Sequence, residues 1–242
     1  VSGPNLALEI AQGQPAASVA ASTNKSAAET VAKAATNDYF TTFINKDVIG
    51  TEFGGILKNL IAVAIGIVNG VGYGENTKAS IMTRGLAEIS RFAVAYGAKA
   101  TTMVGLAGLG DLIATSESPL SRNHKAGEML GKGYTLREVL RRMSQTAEGL
   151  SSVAPILQLA GAKGVSMPIV EQVQLVLEGK MNPRDIAPHL THETDGPQGG
   201  NEVLGPQGFG EIGGLYRLAH VHEKLRAFRF CGEQTQQGPA IS

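Results

Sequence analysis

Apolar and polar residues alternate in short bursts over the first 47 residues and settle into a helical rhythm after that. NLALEIAQG reads as a helix stopped by Gly13 and Pro15, AASVAAS as a strand, NKSAAETVAKAAT as a helix capped by Asn24, and YFTTFIN as a second strand. Helix, strand, helix, strand is the order of an α/β layer, and the stretch reads as the end of one.

From about residue 49 to 190 helical spacing continues, punctuated at Gly70 to Gly74, Gly97, Gly108 to Gly110, Pro119, Gly131 to Gly133, Gly161 to Gly164 and Pro183. This predicts a compact all-α domain of several helices. In MPIVEQVQLVLEG, residues Ile169, Val170, Val173, Val176 and Leu177 form one apolar stripe, with Glu171, Gln172 and Gln174 between them. That is a surface helix with one buried face. After residue 193 the chain becomes dense in glycine without periodicity, and a flexible tail is expected, with a short helix around YRLAHVHEKLRAF. No repeat of fixed period is visible.

The most apolar helix has an interruption. In TEFGGILKNLIAVAIGIVNG, Phe53, Ile56, Leu57, Leu60, Ile61, Ala64, Ile67 and Val68 form a broad stripe, and Ala62, Val63 and Ile65 cover much of the rest. A helix apolar nearly all round is interior, so Lys58 and Asn59 are expected to face a cavity near its N-terminal end. Two readings stay open at this point. Lys58 snorkels to water, or its apolar surroundings favour the neutral amine and suit it to proton transfer.

A second polar cluster follows in GLAGLGDLIATSESPLSRNHKAGEMLGKG. Pro119 sits where a helix can begin, with Ser118 as N-cap and Ser121, Arg122 and Asn123 in the first turn. Such a terminus with an arginine suits phosphate oxygens, although capping beside a solvated arginine produces the same pattern. Asp111 follows two glycine turns, where turn chemistry and a carboxylate aimed into a cleft read alike.

Composition narrows the classes. At 242 residues the chain can fill one or two domains. Lysine plus arginine (21) balances aspartate plus glutamate (21), leaving no net field to draw nucleic acid or an anionic membrane. The lone Cys231 and the absence of a signal-like start point to a reducing, cytoplasmic setting. The longest uninterrupted apolar run, Leu60 to Val68, is far shorter than the ~20 residues that cross a bilayer, so no membrane insertion is expected. His189, His192, His220, His222 and Cys231 lack a second pair at structural-zinc spacing, so no metal is expected.

Taken together, SGPNLALEIAQG, EFGGILKNLIAVAIGIVNGVGYGENTKASIMTRGLAEI, GLAGLGDLIATSESPLSRN and AEG closely resemble the bacterial NAD(P)-dependent glycerol-3-phosphate dehydrogenase family, in order and spacing. The resemblance covers about residues 1 to 192 and is most specific from Glu52 to Asn123. It implies a mostly α fold with an α/β remnant, the end of a Rossmann-type nucleotide-binding domain followed by an all-helical substrate domain. The expected division is 1–47 for the remnant, 48–192 for the substrate domain and 193–242 for the tail. The implied cofactor is NAD or NADP, and the implied substrate is a small phosphate, sn-glycerol 3-phosphate or dihydroxyacetone phosphate.

The family's lysine in EFGG-x-x-KN, the proton acceptor, matches Lys58. Its substrate aspartate matches Asp111, and its Ser-Arg-Asn phosphate cluster matches Ser121, Arg122 and Asn123. Gly3 and Asn5 match substrate-contacting positions; Asn5 replaces the usual Ser or Thr, whose hydrogen bonding an amide can mimic. Ala7, Arg122, Thr146 and Glu148 match positions that contact the cofactor.

The family's G-x-G-x-x-G turn after its first strand has no counterpart here: GLAGLG lies inside the helical region and GPQGFGEIGG follows no strand. The chain starts at Val1 and runs straight into the SGP motif, so an upstream part is expected to be missing. Two other classes of function stay open: a non-catalytic fragment acting through association at an unpaired sheet edge, and a dehydrogenase of another small hydroxy acid. A homodimer is a weak expectation.

Overall fold

The computed structural model describes residues 1–143 and 145–187. The tail after residue 193, with the expected short helix near Tyr216 and the histidine cluster, lies outside the described residues.

The α/β part has the expected order. Helix α1 (Ala7–Ala11), strand β1 (Ala16–Ala21), helix α2 (Lys25–Ala35) and strand β2 (Phe40–Asn45) follow one another. The strands pair in parallel, from Ala16 opposite Phe40 to Ala21 opposite Asn45. Parallel strands need a crossover, and α2 supplies it: the Asn24 side chain caps its start by accepting the Ala27 N–H at 3.2 Å, and its small residues Ala28 and Ala32 are buried. On the other side of β1, Ser2 forms an antiparallel bridge with Val19, with backbone bonds of 2.9 and 2.8 Å. The SGP segment is thereby stitched to the sheet.

Helix α3 (Val48–Val71) is the axis of the helical domain, with every residue from Leu60 to Val68 buried. Asp47 starts it, accepting the Gly50 N–H at 2.9 Å and, through its second oxygen, the Lys99 N–H at 2.8 Å. Burial opposes the charge of Asp47, but these two N–H groups and the Thr102 hydroxyl hold its carboxyl below the usual range. Gly72 ends the helix in the left-handed region, at φ 96°. By length and composition α3 could cross a membrane. Here it is wrapped by its neighbours, as a core helix is.

Those neighbours are α4 (Glu75–Ala95), α5 (Ala100–Met103), a π-helical turn (Leu106–Gly110), α6 (Asp111–Glu117), α7 (Arg122–Gly131), α8 (Leu136–Arg142), α9 (Glu148–Ala162) and α10 (Pro168–Leu177). Phe53 of α3 meets Phe92 of α4 edge-on, with ring centroids 5.3 Å apart, and Phe92 also packs on Tyr96. Glu88 of α4, 1% exposed, accepts the N–H groups of Ile169 and Val170 at 3.0 Å each and so caps the start of α10.

The closest packing joins α3 to α7. A Cβ on Gly66 would lie 2.2 Å from the His124 carbonyl, on Gly70 2.2 Å from that of Glu128, on Gly127 2.1 Å from that of Val63 and on Gly131 2.2 Å from that of Ile67. The two main chains touch directly, which only hydrogen side chains permit.

Several sequence expectations change in detail. Gly70 and Gly131, read as punctuation, lie within their helices as packing residues. Ser118 and Pro119 do not start a helix: Ser118 closes α6, and Ser121 is the N-cap of α7, accepting the His124 N–H at 3.2 Å. GLAGLG is a π-helical turn rather than two loops. Gln172 is buried alongside the apolar stripe of α10, and Leu177 is only partly buried. Ile56, placed in the apolar stripe of α3, is exposed: at about 100° per residue it lies on the face opposite Lys58, away from the contact of α3 with Asp111.

Candidate functional site

Lys58 emerges from α3 where the helical domain meets the sheet. Its Nζ lies 2.5 Å from Oδ2 of Asp111, with side-chain exposures of 17% and 7%. The ammonium is thus met by a carboxylate, where an apolar wall was expected. Gly54, one turn before Lys58, makes this approach possible. A Cβ there would lie 2.2 Å from the Ala107 carbonyl, so the π-helical turn lies directly on α3 and delivers Asp111 at the head of α6. Burial raises the pKa of the Asp111 carboxyl above its ordinary value, against the attraction of Lys58 and a hydrogen bond from Thr115.

Thr115 is a residue that the sequence reading passed over. Its hydroxyl donates to Oδ1 of Asp111 at 3.3 Å. The signal was available as i, i+4 spacing, once α6 is placed at Asp111.

The SGP segment borders the same region. Gly3 sits at φ 150° against the main chain of Ala17 and Ser18, and the Ser2 hydroxyl and the Pro4 ring lie near Gly55 and Gly110 respectively. The Asn5 amide donates to the Ser18 hydroxyl at 2.9 Å, and its Oδ1 is buried without a partner among the described residues.

The phosphate-cluster candidates lie at the head of α7. Ser121 caps the helix, Arg122 is exposed, and Asn123 is buried, with its Oδ1 accepting the Gly149 N–H at 2.9 Å. This bond draws the start of α9, and with it Glu148, to the cluster. Ala7, Thr146 and Glu148 are all exposed. Among the described residues no group of three or more His, Cys, Asp or Glu side chains could hold a metal.

Clefts among the described residues lie both away from this site and beside it. One of about 460 Å³, lined by Gly70, Lys132, Gly133 and Arg184, is where α3 and α7 end; cations there complement the two carbonyl-bearing helix ends. Another of about 360 Å³, lined among others by Val19, Phe43, Asn45, Thr102 and Leu106, lies at the carboxyl end of β2 beside the π-helical turn. In open α/β sheets that end of the strands is where ligands bind.

A parallel β-α-β layer leads into a set of helices packed around α3, with a lysine–carboxylate pair between α3 and α6. The family model for the NAD-dependent glycerol-3-phosphate dehydrogenase C-terminus matches residues 47–188, and the chain belongs to that family. It is 67% identical over 199 residues to a glycerol-3-phosphate dehydrogenase (NAD(P)+) of Leifsonia xyli, covering 82% of this chain and 54% of that one. A protein of the same name from Frankia casuarinae is 52% identical over 198 residues, covering 82% and 59%. The crystal structure of glycerol-3-phosphate dehydrogenase from Coxiella burnetii superposes with a TM-score of 0.75 at 36% identity, covering 79% of this chain and 59% of that one. The chain therefore spans a little over half the length of these relatives.

Proposed function

We propose that the protein represented by this chain interconverts sn-glycerol 3-phosphate and dihydroxyacetone phosphate with NAD or NADP. The observation that supports this most directly is the largely buried Lys58–Asp111 pair, held where the sheet meets the helical domain.

When bound, a nicotinamide would supply hydride acceptance and return at C2 of the substrate. Lys58 takes the C2 hydroxyl proton in the oxidative direction and gives it back to the ketone oxygen in reverse. Asp111, itself held by Thr115, aims the lysine and balances its charge. Arg122 and Asn123, at a helix N-terminus capped by Ser121, offer a forked donor and amide N–H groups to the phosphate oxygens. Gly3 and Asn5 border the same space from the sheet.

The exposed groups on the cofactor side fit a dinucleotide chemically. Arg122 suits its phosphates, and the Glu148 carboxylate and Thr146 hydroxyl suit hydroxyl or amide donors. The product would supply glycerophospholipid synthesis in the cytoplasm, and a homodimer is the assembly we carry forward.

The test is cofactor oxidation, followed by absorbance with dihydroxyacetone phosphate and NADH or NADPH. The protein is this chain extended by the upstream nucleotide-binding residues of its Leifsonia relative. Lys58→Ala is expected to lower kcat by about 10²–10⁴-fold. A folded, extended protein inactive with both cofactors would move a purely associative role to the front. Activity on another hydroxy acid in preference to the phosphate would do the same for a related dehydrogenase.

A further inference from the structure

Helix α9 begins without a cap of its own, because its N-cap residue is Ala147, which has no side-chain acceptor. The Gly149 N–H is instead satisfied by Asn123 Oδ1, 26 residues earlier, in a buried bond of 2.9 Å. That bond fixes the orientation of the amide: its oxygen faces α9, and Nδ2, with no acceptor among the described residues, keeps both N–H groups for something else.

Gly149 lies where three helices meet. A Cβ on it would lie 2.8 Å from the Asn59 carbonyl and 2.9 Å from Asn123 Oδ1. No other residue lets α9 rest on α3 and on the Asn123 amide together. Asn59 follows Lys58 directly, and Glu148 precedes Gly149 directly. One contact point therefore joins the helix of the lysine, the helix of the phosphate cluster and the helix that presents Glu148.

We propose that Asn123 and Gly149 are positioning residues that couple the substrate subsite to the cofactor-facing end of α9, so that each ligand tightens binding of the other. The inference rests on the roles given above to the Ser121–Asn123 cluster and Glu148. A substrate oxyanion that takes Asn123 Nδ2 fixes the same amide whose oxygen holds α9. The fixed helix start then holds Glu148 in place for the cofactor. Coupling of this kind is reciprocal: the factor by which substrate improves cofactor affinity equals the factor in the other direction.

The experiment titrates NADH fluorescence on the extended protein, with and without sn-glycerol 3-phosphate, for the parent, Asn123→Asp and Gly149→Ala. In the parent, substrate is expected to tighten NADH at least about fivefold. Asn123→Asp keeps an acceptor for the Gly149 N–H, so its unfolding midpoint should hold. It replaces the donor with a second acceptor, so the substrate KM should rise at least tenfold and the coupling should vanish. Gly149→Ala displaces α9 and should bring the coupling close to one. Independent binding in the parent, or coupling that survives in Asn123→Asp, overturns the inference. An extended protein that oxidises neither cofactor overturns the underlying functional reading, whereas an active one without coupling overturns this inference alone.

Discussion

Asp111 holds Lys58 through one oxygen and receives Thr115 through the other, so its two neighbours constrain the carboxylate plane from both sides. Asp111→Asn keeps the shape and removes the charge, and we expect kcat/KM of the extended enzyme to fall by about 10²-fold or more, since an uncompensated, largely buried ammonium is left behind. Thr115→Val should cost only a few-fold, because one oxygen still holds the lysine. Steady-state kinetics on the two variants separates charge from orientation, and equal losses would refute the division. At this scale much was legible in the sequence. Lys58 stood out because a cation inside an apolar helix demands a reason, and Ser121 to Asn123 stood out as helix-start chemistry. The partner of Lys58 was not legible, because 53 positions separate the two residues and contacts between distant elements, the π-helical turn on Gly54 among them, close that distance.

At the scale of elements, Glu88 makes stability depend on pH. Burial pushes its carboxyl up to about 7, although the N–H groups of Ile169 and Val170 favour the charge. The folded chain thus holds a proton that the unfolded chain releases near the ordinary glutamate value. Its contribution is fully present below about 4.5 and is lost as pH rises through about 7. The loss is on the order of 3 kcal/mol by linkage. Urea unfolding from pH 4.5 to 7.5 should show this decline, superimposed on other groups, and Glu88→Gln should flatten it. A decline of the same size in the variant would assign the effect elsewhere.

The glycines separate by the same logic. Gly127→Ala drives a methyl into the Val63 carbonyl and should destabilise by about 2 kcal/mol or more, whereas Gly161→Ala, in α9 with nothing within 4 Å, should stabilise by about 0.5–1 kcal/mol. Chemical denaturation of both variants checks the signs. Helices and caps such as Asn24 were readable from local pattern. The difference between a glycine that ends a helix and one that joins two was not, because it depends on a neighbour far along the chain.

At the scale of the whole molecule, the sheet side presents apolar side chains that the described residues leave open: Tyr39, Phe43 at 55% exposure, and Ile44. A chain with this surface should self-associate as concentration rises, and Phe43→Lys should reduce it in sedimentation velocity. An unchanged distribution would place any association elsewhere. The order of the α/β layer, the helical domain after it and the family were all recoverable from patterns along the chain. Which faces stay uncovered was not, because coverage is a property of neighbours in space.

The seam between α3 and α7 has a mechanical meaning as well. Two rods fused main chain to main chain cannot slide, spread or roll without breaking contact along their whole shared length. They act as the fixed jaw of a clamp, with Lys58 and Asn123 mounted on it. Any travel that admits and releases a ligand is then expected in the parts that flank that jaw, among them the turn beside Gly54 and the head of α9 beside Gly149.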